Sequence, residues 1–268
     1  MNESIAVIGA GMMGSAIIKS LVINGYKGQI TAVDFQTQKL DDLKELGIKT
    51  CFDNCVATKE ADIIFIVVKP GDVGKVLKEI NSVVKGKLVI SVAATVSLSF
   101  LRKNISEAKL VRIMPNLGVM AQASYTAFCC DSNVTVAEKQ KIQTLLNMMG
   151  LSDEVEEKHM DALTAVSGSG PGYMSIIVEA LTYAGLKVGL PRNIALKSAA
   201  QTMLGTAKLV LDLKEEPAKI KDMTTTPGGT TIEAIYQIEQ SQIRPAMIRA
   251  IEEATKKSSQ IRERLNIT

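Results

Sequence analysis

Ser4-Ile5-Ala6-Val7-Ile8-Gly9-Ala10-Gly11-Met12-Met13-Gly14 opens the chain with a short apolar run that breaks into a glycine-rich turn. An apolar pattern at helical spacing follows through Ile17, Ile18, Leu21 and Val22. This is G-x-G-x-x-G between a strand and a helix, the context in which the motif has mechanical meaning. Gly9 makes the tight turn, Gly11 lets the backbone approach a pyrophosphate, and Gly14 lets the helix pack closely on the sheet. A second strand, residues 29–33, ends in Asp34, twenty residues after Gly14. An acid there is placed to accept hydrogen bonds from both hydroxyls of an adenosine ribose. The stretch therefore predicts a dinucleotide-binding unit, with Gly9, Gly11, Met12, Met13, Gly14 and Asp34 as cofactor contacts.

Beyond this unit, strand and helix patterns alternate. Strands are expected at 63–68, 88–92, 110–114 and 124–130, and helices at 37–46, 73–80, 98–103 and 137–149. Such alternation predicts an α/β fold built on a mostly parallel sheet covered on both faces. Ligands in these sheets bind beyond the carboxyl ends of the strands. Val68-Lys69-Pro70, Ala93-Ala94 and Met114-Pro115-Asn116 stand at three such ends.

Composition narrows the class. The chain has 268 residues, 46% hydrophobic and 22% charged, with a net charge of +3. That charge is too small and dispersed for a nucleic-acid footprint. The run Ile63 to Val68 is too short to span a bilayer, so no membrane association is expected. The first strand begins almost at Met1, which reads as a cytoplasmic protein without a targeting segment. Cys51, Cys55, Cys129 and Cys130 read as small thiols in a reducing compartment, and no metal site is expected.

After about Glu157 the pattern becomes helical. The segments 174–188 and 192–213 carry Ala180, Ala184, Gly185, Ala195, Ala199, Ala200, Gly205 and Ala207. Small residues let helices approach closely. With no Trp, five Phe and five Tyr in the whole chain, such a region cannot bury a large core alone. A second copy is the expected partner. The expected domains are 1–157, dinucleotide-binding, and 158–268, helical, for substrate binding and dimerisation.

Thr224-Thr225-Thr226-Pro227-Gly228-Gly229-Thr230-Thr231 lies inside the second region. Gly228 and Gly229 strip side chains from the backbone just before a helical pattern, and exposed N–H groups at a helix N-terminus suit a carboxylate. Five threonine hydroxyls, able to donate and accept, surround them. Pro227 stiffens the approach. A capped loop between two helices needs only one such residue.

Gly9–Gly14, Val68-Lys69-Pro70, Arg112-Ile113-Met114-Pro115-Asn116, Ser167-Gly168-Ser169-Gly170-Pro171-Gly172-Tyr173 and the Thr/Gly cradle occur in this order. Together they resemble the pyrroline-5-carboxylate reductase family over essentially the whole chain. The resemblance implies a Rossmann domain followed by an all-α domain whose helices intertwine with a partner in a homodimer, with assembly into a ring such as a decamer. It implies reduction of the cyclic imine 1-pyrroline-5-carboxylate to L-proline by NADH or NADPH, the last step of proline biosynthesis. The nicotinamide would lie over Val68, Lys69, Pro70, Ala93 and Ala94, with Asn116 as a further cofactor contact. The small-molecule substrate would meet Thr226, Gly228, Gly229, Thr230, Thr231 and Ser169 at the dimer interface. Thr231 would be catalytic, its hydroxyl on the ring nitrogen.

Two places depart from the family pattern: Gly172, where Ala is usual, and Asp34-Phe35, where many members place Ser or Arg. Asp34 would repel a 2′-phosphate, so NADH is favoured. A protonated imine needs no strong protein acid. His159 reads as structural, and Lys69 reads equally as a proton donor, a cofactor contact or a solvated strand-end residue. A reductase of a six-membered cyclic imine, a hydroxyacid dehydrogenase and a dinucleotide sensor without turnover are the alternatives. The hydroxyacid reading wants a lysine early in the 174–188 helix, where this chain has Lys187 only at the far end.

Overall fold

A computed structural model describes residues 2–264. The outermost residues of the two expected domains, 1 and 265–268, lie outside the described residues. The chain runs β1 (Ile5–Ile8), α1 (Met12–Ile23), β2 (Ile30–Val33), α2 (Gln38–Glu45), β3 (Lys49–Cys51), α3 (Asn54–Glu60), β4 (Ile63–Ile66), α4 (Pro70–Ile80), β5 (Leu88–Ser91) and α5 (Leu98–Asn104). It continues through β6 (Lys109–Met114), β7 (Ser124–Cys130), α6 (Val136–Asn147), β8 (Gly150–Glu154) and α7 (Met160–Leu163). The remaining helices are α8 (Gly170–Lys187), α9 (Arg192–Leu213), α10 (Pro217–Met223), α11 (Thr230–Gln240) and α12 (Ile243–Arg264).

The strands form one sheet in the order β3-β2-β1-β4-β5-β6-β7-β8. All neighbours are parallel except β6 and β7. The sheet is therefore mostly parallel, as its alternating pattern predicts. The inner strands read as unbroken apolar runs because both of their faces are covered. Ile5 and Val7 of β1 point into one buried cluster with Ile17, Leu21 and Leu145. Ala6 and Ile8 point into another with Val73, Leu77 and Leu101.

Two strands lie outside the expected set, β3 and β8. Both sit at sheet edges, and β8, Gly-Leu-Ser-Asp-Glu, buries only Ser152. Edge strands need no apolar run, so hydropathy does not reveal them. Gly150 begins β8 at φ 141, and a Cβ there would lie 2.1 Å from the Ser124 carbonyl oxygen.

The chain divides into two compact units, residues 1–169 with 253–268, and residues 170–252. This division differs from the expected 1–157 and 158–268: the turn Glu157–His159, α7 and the end of α12 go with the sheet. The reason lies in side chains. Asp161 of α7 accepts hydrogen bonds from Ser258 at 2.8 Å and Ser259 at 3.1 Å, and Arg262 lies 3.1 Å from its carboxylate.

The second unit is helical. α8 and α9 pack together, and a Cβ on Gly185 would lie 2.8 Å from the Ala195 Cβ. Ala195 and Ala199 are buried within the chain itself. Large apolar side chains on α8 and α9, among them Ile176, Leu204 and Leu211, are exposed. No described helix is long and apolar enough to cross a membrane.

Candidate active site

The turn between β1 and α1 assigns each glycine a separate task. Gly9 has φ 102, and a Cβ there would lie 2.5 Å from the Val67 carbonyl oxygen. Gly14 sits against the turn, its Cβ position only 1.9 Å from the Gly9 carbonyl oxygen. A Cβ on Gly11 would meet nothing within 4 Å, so the space over this residue is open. Gly11 is also the N-cap of α1, with no side-chain cap and no acidic residue in the first turn. Free N–H groups, the positive end of a helix and open space together fit a pyrophosphate. Met12 is exposed beside this opening and Met13 is half-buried.

Asp34 follows β2 and is buried. Its carboxylate accepts hydrogen bonds from the Ala10 N–H and the Gln36 N–H, each at 3.0 Å, and Lys39 lies 3.3 Å away. The glycine turn and the end of β2 are thus tied through one charged side chain. A cleft of 320 Å³ opens here, with Gly9, Asp34, Phe35, Phe52, Val68 and Lys75 in its wall. Phe35 is 81% exposed and Phe52 60% exposed, and the Lys39 ammonium lies 5.5 Å from the Phe35 ring centre. The glycine geometry, the uncapped helix and the buried acid make this wall a fit for a dinucleotide.

The other expected cofactor residues leave the same end of the sheet. Val68 and Lys69 lead from β4 into α4, with Lys69 at the N-cap and Pro70 in the first turn. Lys69 is exposed, and its side chain makes no cap. Ala93 and Ala94 follow β5, with Ala93 buried. The next residue, Thr95, is a buried non-glycine at φ 68. Asn116 follows β6, and its side chain is committed inside the protein. Its Oδ1 accepts the Gly118 N–H at 2.8 Å and its amide donates to Ser167 at 3.0 Å. Sequence reasoning assigned no partner to Ser167. Ser169 is exposed at the end of the first unit, and His159 is exposed on its short turn.

In the second unit the Thr/Gly stretch joins α10 to α11. Gly228 adopts φ 68, and Gly229 is the N-cap of α11 with no side-chain cap. The first-turn N–H groups, beginning at Thr230, therefore have no capping side chain. A Cβ on Gly229 would lie 2.4 Å from the Thr226 hydroxyl oxygen, so only glycine lets Thr226 sit there. The five threonines are not equivalent. Thr224 and Thr225 both donate to the Lys221 carbonyl at 2.8 Å and finish α10. This leaves Thr226, Thr230 and Thr231 beside the open helix end, with Thr231 half-buried.

One charged pair escaped the sequence reading. Arg112, only 1% exposed on β6, lies 3.0 Å from the Glu157 carboxylate. The signal was a lone arginine in the apolar run Leu110–Met114, since a buried cation requires a partner. Among the described residues, no group of three or more His, Cys, Asp or Glu is placed to hold a metal ion.

Residues 157–261 match the family model for pyrroline-5-carboxylate reductase dimerisation. Residues 4–95 match the model for NADP oxidoreductase, coenzyme F420-dependent. The chain is 36% identical over 265 residues to the pyrroline-5-carboxylate reductase of Methanosarcina acetivorans, covering 97% of this chain and 98% of that one. Among solved structures, a pyrroline-5-carboxylate reductase from Coxiella burnetii superposes with a TM-score of 0.91 at 30% identity, over 97% of this chain and 98% of that one. The Plasmodium falciparum pyrroline carboxylate reductase with NADP bound gives 0.85 at 28% identity, over 96% and 97%.

Proposed function

The chain belongs to the pyrroline-5-carboxylate reductase family, and from that premise we propose which of its residues carry the reaction and how. It is an NAD(P)H-dependent oxidoreductase that reduces the cyclic imine of 1-pyrroline-5-carboxylate to L-proline, the last step of proline biosynthesis. When bound, the reduced nicotinamide supplies a hydride to the imine carbon.

The cofactor lies along the carboxyl ends of the strands. Gly9, Gly11, Met12, Met13 and Gly14 take the pyrophosphate, Asp34 takes the adenosine ribose, and Val68, Lys69, Pro70, Ala93 and Ala94 carry the nicotinamide. Asn116 acts here through its grip on Ser167 and Gly118. Asp34 favours NADH, because its buried carboxylate accepts from ribose hydroxyls and repels a 2′-phosphate. Lys39, already paired with Asp34, reduces that repulsion without removing it.

The observation that carries the substrate assignment is the uncapped N-terminus of α11 behind Gly228 and Gly229. The N–H groups of Thr230 and Thr231 take the substrate carboxylate, with Thr226 and Ser169 as further polar contacts. Gly229, expected to add a third donor, instead spends its N–H on the Thr226 carbonyl at 3.0 Å and serves by leaving the helix end bare. The Thr231 hydroxyl oxygen accepts from the protonated ring nitrogen. The imine enters with its own positive charge, so the cradle needs no acid, and it offers none. After hydride addition the nitrogen keeps its proton and becomes the secondary amine of proline.

The functional division falls at 1–157 and 158–268, supported by the dimerisation match beginning at residue 157. The exposed apolar faces of the helical unit support a homodimer with intertwined C-terminal helices. Assembly into a ring such as a decamer and a cytoplasmic location complete the proposal. Following reduced-nicotinamide absorbance with NADH and 1-pyrroline-5-carboxylate, then with NADH and a six-membered cyclic imine, and with NAD+ and a hydroxyacid, tests the activity. A faster reaction with either alternative would overturn it.

A further inference from the structure

Glu157 is a hub. Its Oε1 accepts the Leu98 N–H at 2.8 Å and the Arg112 Nη1–H at 3.0 Å. Arg112 is fully buried in the sheet, and its Nε and Nη2 have no hydrogen-bond partner among the described residues. Glu157 is thus the ionic partner that locks this guanidinium, and the guanidinium in turn fixes Glu157 to β6. The other bond leads away from the sheet. Leu98 is the first residue of α5, and Ser97 is its N-cap, with its hydroxyl accepting the Phe100 N–H at 3.1 Å.

The segment between Ser91 and Leu98 carries Ala93 and Ala94, then Thr95 in the left-handed region at φ 68. The Thr95 hydroxyl donates to the Ala94 carbonyl. A threonine held at positive φ persists only where its surroundings over-determine it. β5 holds this segment at one end. At the other end the Glu157 bond supplies a fixed point that Ser97, a residue of the segment itself, cannot supply.

We propose that Glu157 is a positioning residue for the cofactor: through the Leu98 N–H, and braced by Arg112, it sets the Ala93-Ala94 segment on which the nicotinamide rests. The proposal rests on the reading above that Ala93 and Ala94 carry the nicotinamide.

The test removes one donor. Leu98→Pro deletes the N–H at the first helical position, where proline is well accommodated. Ser97 already has the extended backbone, φ −80 and ψ 157, that a residue before proline adopts. Leu98→Ala is the control, losing the same side chain but keeping the N–H. In cofactor-free protein, amide exchange at 94–97 should be about tenfold faster in Leu98→Pro than in Leu98→Ala, the effect of one charge-assisted hydrogen bond. Kd for NADH by bound-cofactor fluorescence, and KM for NADH, should rise by about the same factor. KM for the imine and the thermal midpoint should match the control. A merely structural role would lower the active fraction and leave the NADH constants alone.

Glu157→Gln, which keeps an acceptor, should bind NADH better than Glu157→Ala, and this pair replaces the first if the proline variant does not fold. Equal exchange and equal NADH binding in Leu98→Pro and Leu98→Ala would overturn the positioning role. Faster exchange at 94–97 with unchanged NADH binding would instead overturn the reading that this segment carries the nicotinamide.

Discussion

The Asp34 carboxylate accepts the Ala10 N–H at 3.0 Å, so the end of β2 and the glycine turn after β1 are joined through one buried charge. Asp34 therefore both shapes the turn and stands where the adenosine ribose is expected. A 2′-phosphate beside it costs on the order of 1–4 kcal/mol. Wild-type protein should have a higher kcat/KM with NADH than with NADPH. Asp34→Ser with Phe35→Arg should shift the ratio toward NADPH, and Lys39→Ala should sharpen the NADH preference. Clear NADPH preference in the wild type would refute the argument.

Thr231→Ala should leave NADH binding intact and slow imine reduction. Losing a hydrogen bond to a charged nitrogen is worth about 1.5–3 kcal/mol, or about ten- to a hundredfold in rate. Thr231→Ser should retain most of the activity. Steady-state kinetics beside a cofactor titration decides this, and an unaltered kcat/KM would remove Thr231 from the mechanism.

Gly14 and Gly11 should separate cleanly. A Cβ on Gly14 would sit 1.9 Å from backbone oxygen, so Gly14→Ala should cost about 3 kcal/mol or more and lower the thermal midpoint sharply. Gly11→Ala places its Cβ in open space and should fold normally while binding NADH weakly. Calorimetric melting and NADH titration of both variants check the contrast.

Burial, helped by neighbouring carboxylates, pushes the Cys129 and Cys130 thiols up to about 12. Both should stay protonated and unreactive toward iodoacetamide at pH 8, while half-buried Cys51 and Cys55 label first. Unfolded thiols ionise near about 8.5. The stabilisation from keeping these two neutral is therefore complete below that pH and is lost as pH rises toward 12. Peptide mapping after labelling and a pH series of urea melts test both statements.

The proposed dimer is better probed at exposed leucines than at the small residues of α9. Ala199 is buried within the chain, so a charge there would disrupt the α8–α9 packing whatever the assembly. Leu204 and Leu211 lie seven residues apart on α9, and both are about half exposed. Leu204→Glu with Leu211→Glu should shift native mass from dimer to monomer while preserving helical circular dichroism. A dimer that survives this double change would place the interface elsewhere.

Local chemistry made much of this protein legible in the sequence. Gly9, Gly11 and Gly14 have their meaning within one strand–turn–helix unit. The inner strands are apolar runs because they are covered on both faces. The helix predicted at 192–213 forms over those same residues, and the α11 N-terminus follows from Gly228 and Gly229. Tertiary structure decided what depends on distant neighbours. It turned β7 antiparallel, and it added β3 and β8 as edges too short or too polar to show in hydropathy. It committed Thr224 and Thr225 to the end of α10, and Asn116 to Ser167. It also paired Arg112 with Glu157, 45 residues apart in sequence. A sequence records which groups must be satisfied, but a buried charge finds its partner across space, and only the folded sheet determines which residue arrives there.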